Sequence, residues 1–134
     1  FLHAVITDRL DLKRIDNWLK DIRDIDLIPG CVTHKPARVL PVLSRSGLNV
    51  QAYMVPFNRD GVFMDCEPDD LLETLDSLQQ PIIAKKTLAA GKLSPDMGLP
   101  FVARYAQLDG LAVGVASREE MNESFSIATS HWPR

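Results

Sequence analysis

The sequence predicts an α/β fold built on a parallel sheet, and three observations predict it. Short, β-rich apolar segments recur five times along the chain, and segments with helical spacing of apolar residues lie between them. Most of the β-rich segments are apolar throughout, as strands covered on both faces must be. Strands that alternate with helices in this way form parallel sheets with right-handed crossovers. With 134 residues, 46% of them hydrophobic, the chain has the size and composition of one globular domain.

The predicted strands are residues 3–7, 28–32, 50–55, 82–86 and 111–115. A first helix follows Asp11, which is placed to cap it, and its apolar side chains recur at helical spacing up to residue 22. A second helix, over residues 37–43, is expected to bend at Pro41 and to end at Gly47.

The three remaining helices have recognisable starts or apolar stripes. The third helix begins with Pro68 at its first position. The fourth is predicted from about Gly98 to Leu108. The last begins with residues 117–120 (SREE), which form a capping box in which Ser117 and Glu120 cap each other's backbone.

Composition and charge exclude several classes of protein. The formal net charge is −3, so a protein that binds nucleic acid by neutralising phosphates is not expected. No apolar run approaches the roughly 20 residues that span a bilayer. Cys31 and Cys66 are isolated thiols that fit a reducing compartment, so a cytoplasmic location is expected. No spacing typical of a metal site or of a Ser-His-Asp triad is present.

Two architectures satisfy the strand and helix pattern. Length favours a doubly wound sheet of flavodoxin type, because a complete (βα)8 barrel takes about 250 residues. A doubly wound domain normally has a glycine-rich turn after its first strand, whereas residues 7–11 contain no glycine. Motif content therefore favours a partial (βα)8 TIM-type barrel of about five βα units. The chain also begins inside a predicted strand without an initiator methionine, so we expect residues 1–134 to form a single partial-barrel domain within a larger barrel.

Polar side chains follow the predicted strands, at the edge where α/β folds bind ligands. Lys85 and Lys86 end the fourth strand, and because side chains alternate along a strand we expect one of them inside the barrel. Ser117 and Arg118 begin the last helix, where backbone amides and a guanidinium make a phosphate cradle. His34 ends the second strand, and a ligand contact, a general acid and a structural cap all remain open for it.

At these positions the chain resembles the C-terminal part of an aldo-keto reductase. Residues 114–124 (GVASREEMNES) are similar to the last strand and helix start of that family, and residues 83–91 (IAKKTLAAG) to the preceding strand, which commonly ends in K-P-L-x-x-G. Residues 29–34 (PGCVTH) resemble the family's G-x-S-x-H strand end, and residues 50–58 a strand ending in P-x-N. Four motifs in the family's order cover nearly the whole chain.

The resemblance implies an NADP(H)-binding barrel to which this chain contributes strands four to eight. By that likeness Ser117 and Arg118 approach the adenosine-side phosphate, Glu123 and Ser124 lie near the adenine, and Lys86 flanks the pyrophosphate. Thr33 and His34 would then lie beside the nicotinamide carboxamide. Ser124 departs from the family's usual asparagine at its position.

A second departure concerns catalysis. The family's proton-donating tyrosine, with its lysine and aspartate partners, comes from early strands that this chain does not contain, and Asp8 or Arg9 stands where the family's active-site histidine closes the fourth strand. We therefore expect an oxidoreductase segment that is inactive alone, acts on a small-molecule substrate with its missing half, and pairs with that half or with a second copy. The alternatives are a barrel lyase or isomerase acting on a phosphorylated substrate, with Lys85 or Lys86 as amine or anion clamp, and a non-catalytic half-barrel that serves in assembly.

Overall fold

A computed structural model describes residues 10–132 of the chain, and its centre is a parallel four-stranded sheet. The strands, numbered along the chain, are β1 (Gly30–Val32), β2 (Ala52–Pro56), β3 (Ile82–Lys85) and β4 (Gly110–Ala112). The helices are α1 (Leu12–Asp24), α2 (Pro36–Arg45), α3 (Pro68–Asp76), α4 (Pro95–Val102) and α5 (Arg118–His131), with a short 3-10 helix at Ala89–Gly91. Of these described helices, none is long and apolar enough to cross a membrane.

The strands are ordered β1-β2-β3-β4 across the sheet, and each pairs in parallel with the next along the chain. A doubly wound sheet reverses its strand order at a switch point, and this sheet has no reversal among its described strands. The sequential order is that of a barrel segment, which confirms the predicted partial barrel. The predicted strand at residues 3–7 lies outside the described residues, so the structure shows the strands of four of the five predicted βα units.

One face of the sheet carries the main hydrophobic core. Tyr53 and Val55 of β2 and Ile82 and Ala84 of β3 are all buried on this face, where they join apolar residues of α1, α2 and α3 and Val102 of α4. The alternate residues of β2 and β3, such as Met54 and Ile83, lie on the opposite face and are only half-buried. The helices therefore cover one face of the sheet, as they do in a barrel wall.

Most helix boundaries follow from local sequence signals. The Asp11 side chain accepts a hydrogen bond from the Arg14 amide at 3.0 Å, as predicted for an N-cap, and Pro68 occupies the first turn of α3. The predicted range of the fourth helix was wrong. Helix α4 begins at Pro95, directly after Ser94, and ends at Val102 rather than near residue 108, because Pro at a first helical position fixes the start of a helix.

The start of α2 is capped by a residue from a distant loop. The Asp65 carboxylate accepts hydrogen bonds from the amides of Ala37 and Arg38 at 3.0 and 3.1 Å. Lys35, at the N-cap position, makes no side-chain capping bond there. A carboxylate at the positive end of a helix satisfies free amides and interacts favourably with the helix dipole. Asp65 therefore ties the loop between β2 and α3 to the neighbouring helix.

Replacement of Asp65 by alanine tests this cap. We expect D65A to lower the free energy of unfolding by about 1 kcal/mol, the usual effect of losing a capping side chain, as measured by urea denaturation. The matched control is D60A in the same loop, because Asp60 is exposed and forms a surface ion pair with its neighbour Arg59; we expect a change below about 0.5 kcal/mol. Equal losses in the two variants would contradict the capping role.

Candidate functional site

A cavity of about 540 Å³ lies at the carboxyl ends of β3 and β4. It is bounded by the loop that follows β3, the start of α4, the segment that follows β4, and one side of α5. Its polar side chains are Lys86, Thr87, Ser94, Glu120, Glu123 and Ser124. The carboxyl edge of a parallel α/β sheet is where such folds bind their ligands, so this cavity is the candidate site.

The loop that follows β3 has an unusual backbone. Lys86, Ala89 and Ala90 have φ angles of 56°, 49° and 59°, and Gly91 has a φ of 88°. Residues other than glycine rarely adopt this left-handed region, and each instance costs on the order of 1 kcal/mol or more. The amides of Ala89 and Gly91 donate to the carbonyl oxygens of Lys86 and Leu88, each at 2.8 Å, so the loop's own hydrogen bonds hold this backbone. Lys86, Ala90 and Gly91 all line the cavity.

Thr87 is held in this loop by close packing, yet its hydroxyl has no partner. The residue is 1% exposed, and its Oγ1 atom makes no hydrogen bond. Helix α4 approaches so closely that a Cβ atom on Gly98 would lie 2.7 Å from the Thr87 carbonyl oxygen and 2.9 Å from Leu88 Cδ2. Buried hydroxyls are normally hydrogen-bonded, and this one belongs to a residue that lines the cavity.

The two walls of the cavity differ in charge. On one side lie the Lys86 ammonium, whose Nζ is 5.4 Å from the centre of the Phe63 ring, and the N-terminus of α4, where Ser94 makes no side-chain capping bond. On the other side α5 contributes the carboxylates of Glu120 and Glu123. The first wall suits a phosphate, and the second offers acceptors for hydroxyl and amine groups.

The start of α5 is capped by its own side chains. Ser117 Oγ accepts a hydrogen bond from the Glu120 amide at 3.1 Å, and Glu120 Oε2 accepts one from the Ala116 amide at 2.8 Å. Hydrogen bonds from the backbone amide and from Ser117 lower the pKa of the exposed Glu119 carboxyl. Arg118 is exposed, and neither it nor Ser117 lines the cavity. The amides of Ala116 and Glu120, at the helix start that was predicted to hold a phosphate, are thus hydrogen-bonded within the chain.

A second polar group lies at the ends of β1 and β3. Lys85 Nζ is 3.0 Å from His34 Nε2, although the two residues are 51 positions apart. Burial and the neighbouring Lys86 lower the pKa of Lys85 to about 8. Burial, Lys85 and Lys86 also lower the pKa of His34. Thr33 beside them is buried, and its hydroxyl accepts a hydrogen bond from the Lys35 amide.

The structure thus distributes the sequence-predicted residues over three places. Lys86, Glu123 and Ser124 line one cavity; Ser117 and Arg118 begin the adjoining helix; Thr33 and His34 follow β1. Lys85 continues the half-buried face of Ile83, as expected for one member of the pair, and Lys86 leaves the strand with a left-handed backbone.

Three contributors to the cavity were not predicted as site residues: Thr87, which was only part of the strand end, Glu120, which was predicted only to cap α5, and the start of α4. The residues Ser94-Pro95-Asp96 are a helix-start signal that could have revealed α4, but no signal in the sequence shows that the Thr87 hydroxyl lacks a partner. Residues 10–132 contain no cluster of three or more side chains able to hold a metal ion.

Comparison with known proteins shows which fold this is. Neither a protein-family model nor the sequence of a curated protein matches the chain. Among solved structures, the aldo-keto reductase AKR11C1 from Bacillus halodurans matches 99% of the chain with a TM-score of 0.76 and 11% identity, in both apo and holo forms. A protein of Pseudomonas aeruginosa assigned as an aldo-keto reductase matches 97% of the chain with a TM-score of 0.65 and 18% identity.

These likenesses show the fold, which is the predicted partial barrel and is similar to part of the barrel of these aldo-keto reductase structures. The chain spans 57% and 56% of the two Bacillus structures and 50% of the Pseudomonas structure. It therefore spans about half the length of the structures that it matches.

The contact between Gly98 and Thr87 predicts a steric cost. G98A should lower the free energy of unfolding by about 1–3 kcal/mol, because the new methyl group meets a backbone carbonyl and overpacks the site, even though alanine favours a helix by roughly 1 kcal/mol over glycine. The control is G114A, where a Cβ would have nothing within 4 Å, and a change below about 0.5 kcal/mol is expected there. Thermal unfolding of both variants measures the difference. A G98A variant as stable as the parent chain would show that α4 is not packed this closely.

The lowered pKa of Lys85 predicts a pH-dependent effect on stability. Between pH 8 and the ordinary lysine pKa of 10.5, Lys85 binds more protons in the unfolded chain than in the folded chain. The charge of Lys85 therefore destabilises the fold at neutral pH, and this effect becomes smaller as the pH rises. We expect K85M to be more stable than the parent chain at pH 7, by less than about 1 kcal/mol because the side chain is partly solvated. The advantage should shrink by more than half at pH 10. Urea denaturation at both pH values measures it, with K92M, a variant of an exposed lysine, as control. An advantage that is equal at the two pH values would contradict the lowered pKa.

Proposed function

We propose that this chain is part of an NADP(H)-linked oxidoreductase of the aldo-keto reductase type, and that it contributes the phosphate side of the cofactor cleft. The observation that carries the proposal is the unpartnered, buried Thr87 hydroxyl, which lies beside Lys86 and the start of α4 in one cavity. The partial aldo-keto reductase fold supports it. The proposal includes a cytoplasmic location and a small-molecule carbonyl substrate.

The residues present fit a dinucleotide with phosphates. A phosphate oxygen near Thr87 would give its orphaned hydroxyl an acceptor, and the charge would be balanced by Lys86 and by the positive end of the α4 dipole. Arg118, two positions before Glu120, is proposed for an adenosine-side phosphate. Glu123 and Ser124 would accept or donate hydrogen bonds at the adenosine, since carboxylates suit amine and hydroxyl donors rather than phosphates.

Thr33 and His34 are proposed for the nicotinamide side. When bound, the cofactor supplies hydride to a substrate carbonyl carbon. The carbonyl oxygen must then receive a proton, and neither tyrosine of this chain is placed to give it. Tyr53 lies in the core, with its pKa raised to about 12 by burial and by Cys31, and the Tyr105 hydroxyl donates to Asp69. We therefore propose that the chain binds cofactor but is inactive without a partner.

The partner is proposed to pair with the outer edge of β4, which has no strand neighbour among the described residues. Unpaired strand edges template association. The occupant would be a complementary barrel segment or a second copy of this chain. Light scattering after size-exclusion chromatography tests the second case, where the 15.0 kDa chain should elute with twice its mass. A monomer at all concentrations would remove the homodimer from the proposal.

Titration with NADPH, followed by dihydronicotinamide fluorescence and calorimetry, tests the cofactor proposal. We expect saturable binding below about 1 mM. K86Q should weaken it about tenfold by removing a charge-assisted contact to phosphate. T87V should weaken binding severalfold while leaving stability unchanged or higher, because the hydroxyl that it removes is unpartnered in the free protein.

The matched control for charge is K92Q, which removes an exposed lysine from the same loop region and should bind like the parent chain. R118A should reduce the preference for NADPH over NADH. Failure to bind NADPH at several millimolar, or equal affinities in all variants, would overturn the proposal.

A further inference from the structure

The Lys85–His34 pair joins the ends of two strands that are not neighbours. Strand β2 lies between β1 and β3, and Pro56 at its end is the register partner of Lys85. The Lys85 ammonium and the His34 ring meet across this end at 3.0 Å. The pair therefore sits on the open side of the sheet, at the edge where barrel folds carry out their chemistry.

The charge around Lys85 is unbalanced. Within residues 10–132 its hydrogen-bond partner is His34, and no carboxylate forms an ion pair with it. Lys86 follows it directly and adds a like charge. A partly buried ammonium without a counter-charge is unfavourable, so an anionic ligand would stabilise it.

The histidine is placed to relay a proton at this lysine. An ammonium group has no lone pair and can only donate, so His34 Nε2 must be the acceptor while Lys85 is charged. The lowered pKa values of both side chains keep the imidazole neutral and make the free amine accessible near pH 8. The free amine is the nucleophilic form of lysine.

We propose that Lys85 forms an imine with a small anionic carbonyl compound of the 2-oxo acid class, and that His34 moves the proton that this step requires. The proposal does not depend on the cofactor function, since it uses side chains outside the cavity that holds Lys86.

The reaction balances without an oxidant or reductant. Near pH 8 about half of Lys85 is the free amine, and its nitrogen lone pair attacks the carbonyl carbon. His34 Nε2 takes a proton from the nitrogen of this adduct and passes it to the former carbonyl oxygen, which gives a carbinolamine. The same relay moves the second proton from nitrogen to the hydroxyl, water leaves, and a C=N bond forms. The carboxylate of the 2-oxo acid supplies a counter-charge that no described residue gives Lys85. The half-buried Met54 and Ile83 on the same face accommodate a short alkyl group.

Trapping with cyanoborohydride tests the proposal. The chain is incubated with glyoxylate and cyanoborohydride at pH 8, and the lysine-bearing peptides are quantified by mass spectrometry. We expect the carboxymethyl adduct on Lys85 at least tenfold above that on exposed lysines such as Lys92, and a slower reaction with acetaldehyde, which lacks the carboxylate. K85R should abolish this adduct, while K92R should leave it unchanged.

The role of His34 has a separate readout. H34Q should slow the labelling of Lys85 about tenfold without changing the unfolding midpoint, and added imidazole should restore part of the rate. Unchanged labelling in H34Q would overturn the role of the histidine. Labelling spread evenly over the exposed lysines, or equal rates with glyoxylate and acetaldehyde, would overturn the proposed site or its anionic substrate class. A chain that binds no NADPH but labels at Lys85 would refute only the cofactor function.

Discussion

The covering of the sheet on one face is the constraint on which the rest of the structure depends. The residues of β2 and β3 that face the helices are buried in one core, so every loop at the carboxyl edge must leave the sheet and return to a helix on that same side. This fixes the loop after β3 against α4, where Gly98 allows backbone contact at Thr87. It also leaves the opposite face free for Lys85 and His34. The positions of the cavity at Lys86 and of the Lys85–His34 pair thus both follow from the burial of one face of the sheet.

The cavity and the Lys85–His34 pair suit different kinds of ligand. The cavity between β3, α4 and α5 has a cationic wall at Lys86 and an acidic wall at Glu120 and Glu123, which suits a ligand with both phosphates and hydroxyl or amine donors. The Lys85–His34 pair offers one nucleophile and one base, and no carboxylate of residues 10–132 forms an ion pair with Lys85. If both proposals hold, a bound dinucleotide and a carbonyl compound would lie at neighbouring strand ends, and the left-handed turn at Lys86 would separate them.

Much of the fold could be predicted from the sequence because its signals are local. Asp11 and Ser117 each cap a helix by accepting a hydrogen bond from the amide three residues later in the chain. The four described strands lie close to their predicted positions. The start of α4 was missed because the helix was assigned from the apolar residues that follow Gly98 rather than from Pro95. Contacts that depend on the tertiary fold lie beyond sequence reasoning: Asp65 caps a helix 28 positions away, and His34 meets Lys85 across an intervening strand. The sequence left open which of Lys85 and Lys86 lies on the inner face, and the structure places Lys85 there because the chain leaves the strand at Lys86.

The loop that follows β3 has a consequence for recognition. Ala89 and Ala90 adopt a backbone that glycine would reach with less strain, yet a glycine there would also sample many other shapes in solution. Two alanines restrict that sampling, and the amides of Ala89 and Gly91 donate to the carbonyls of Lys86 and Leu88, so the loop is already ordered before a ligand binds. A ligand that docks against it would cost little chain entropy. The left-handed backbone of this loop therefore costs free energy in folding, and the order that it imposes favours ligand binding.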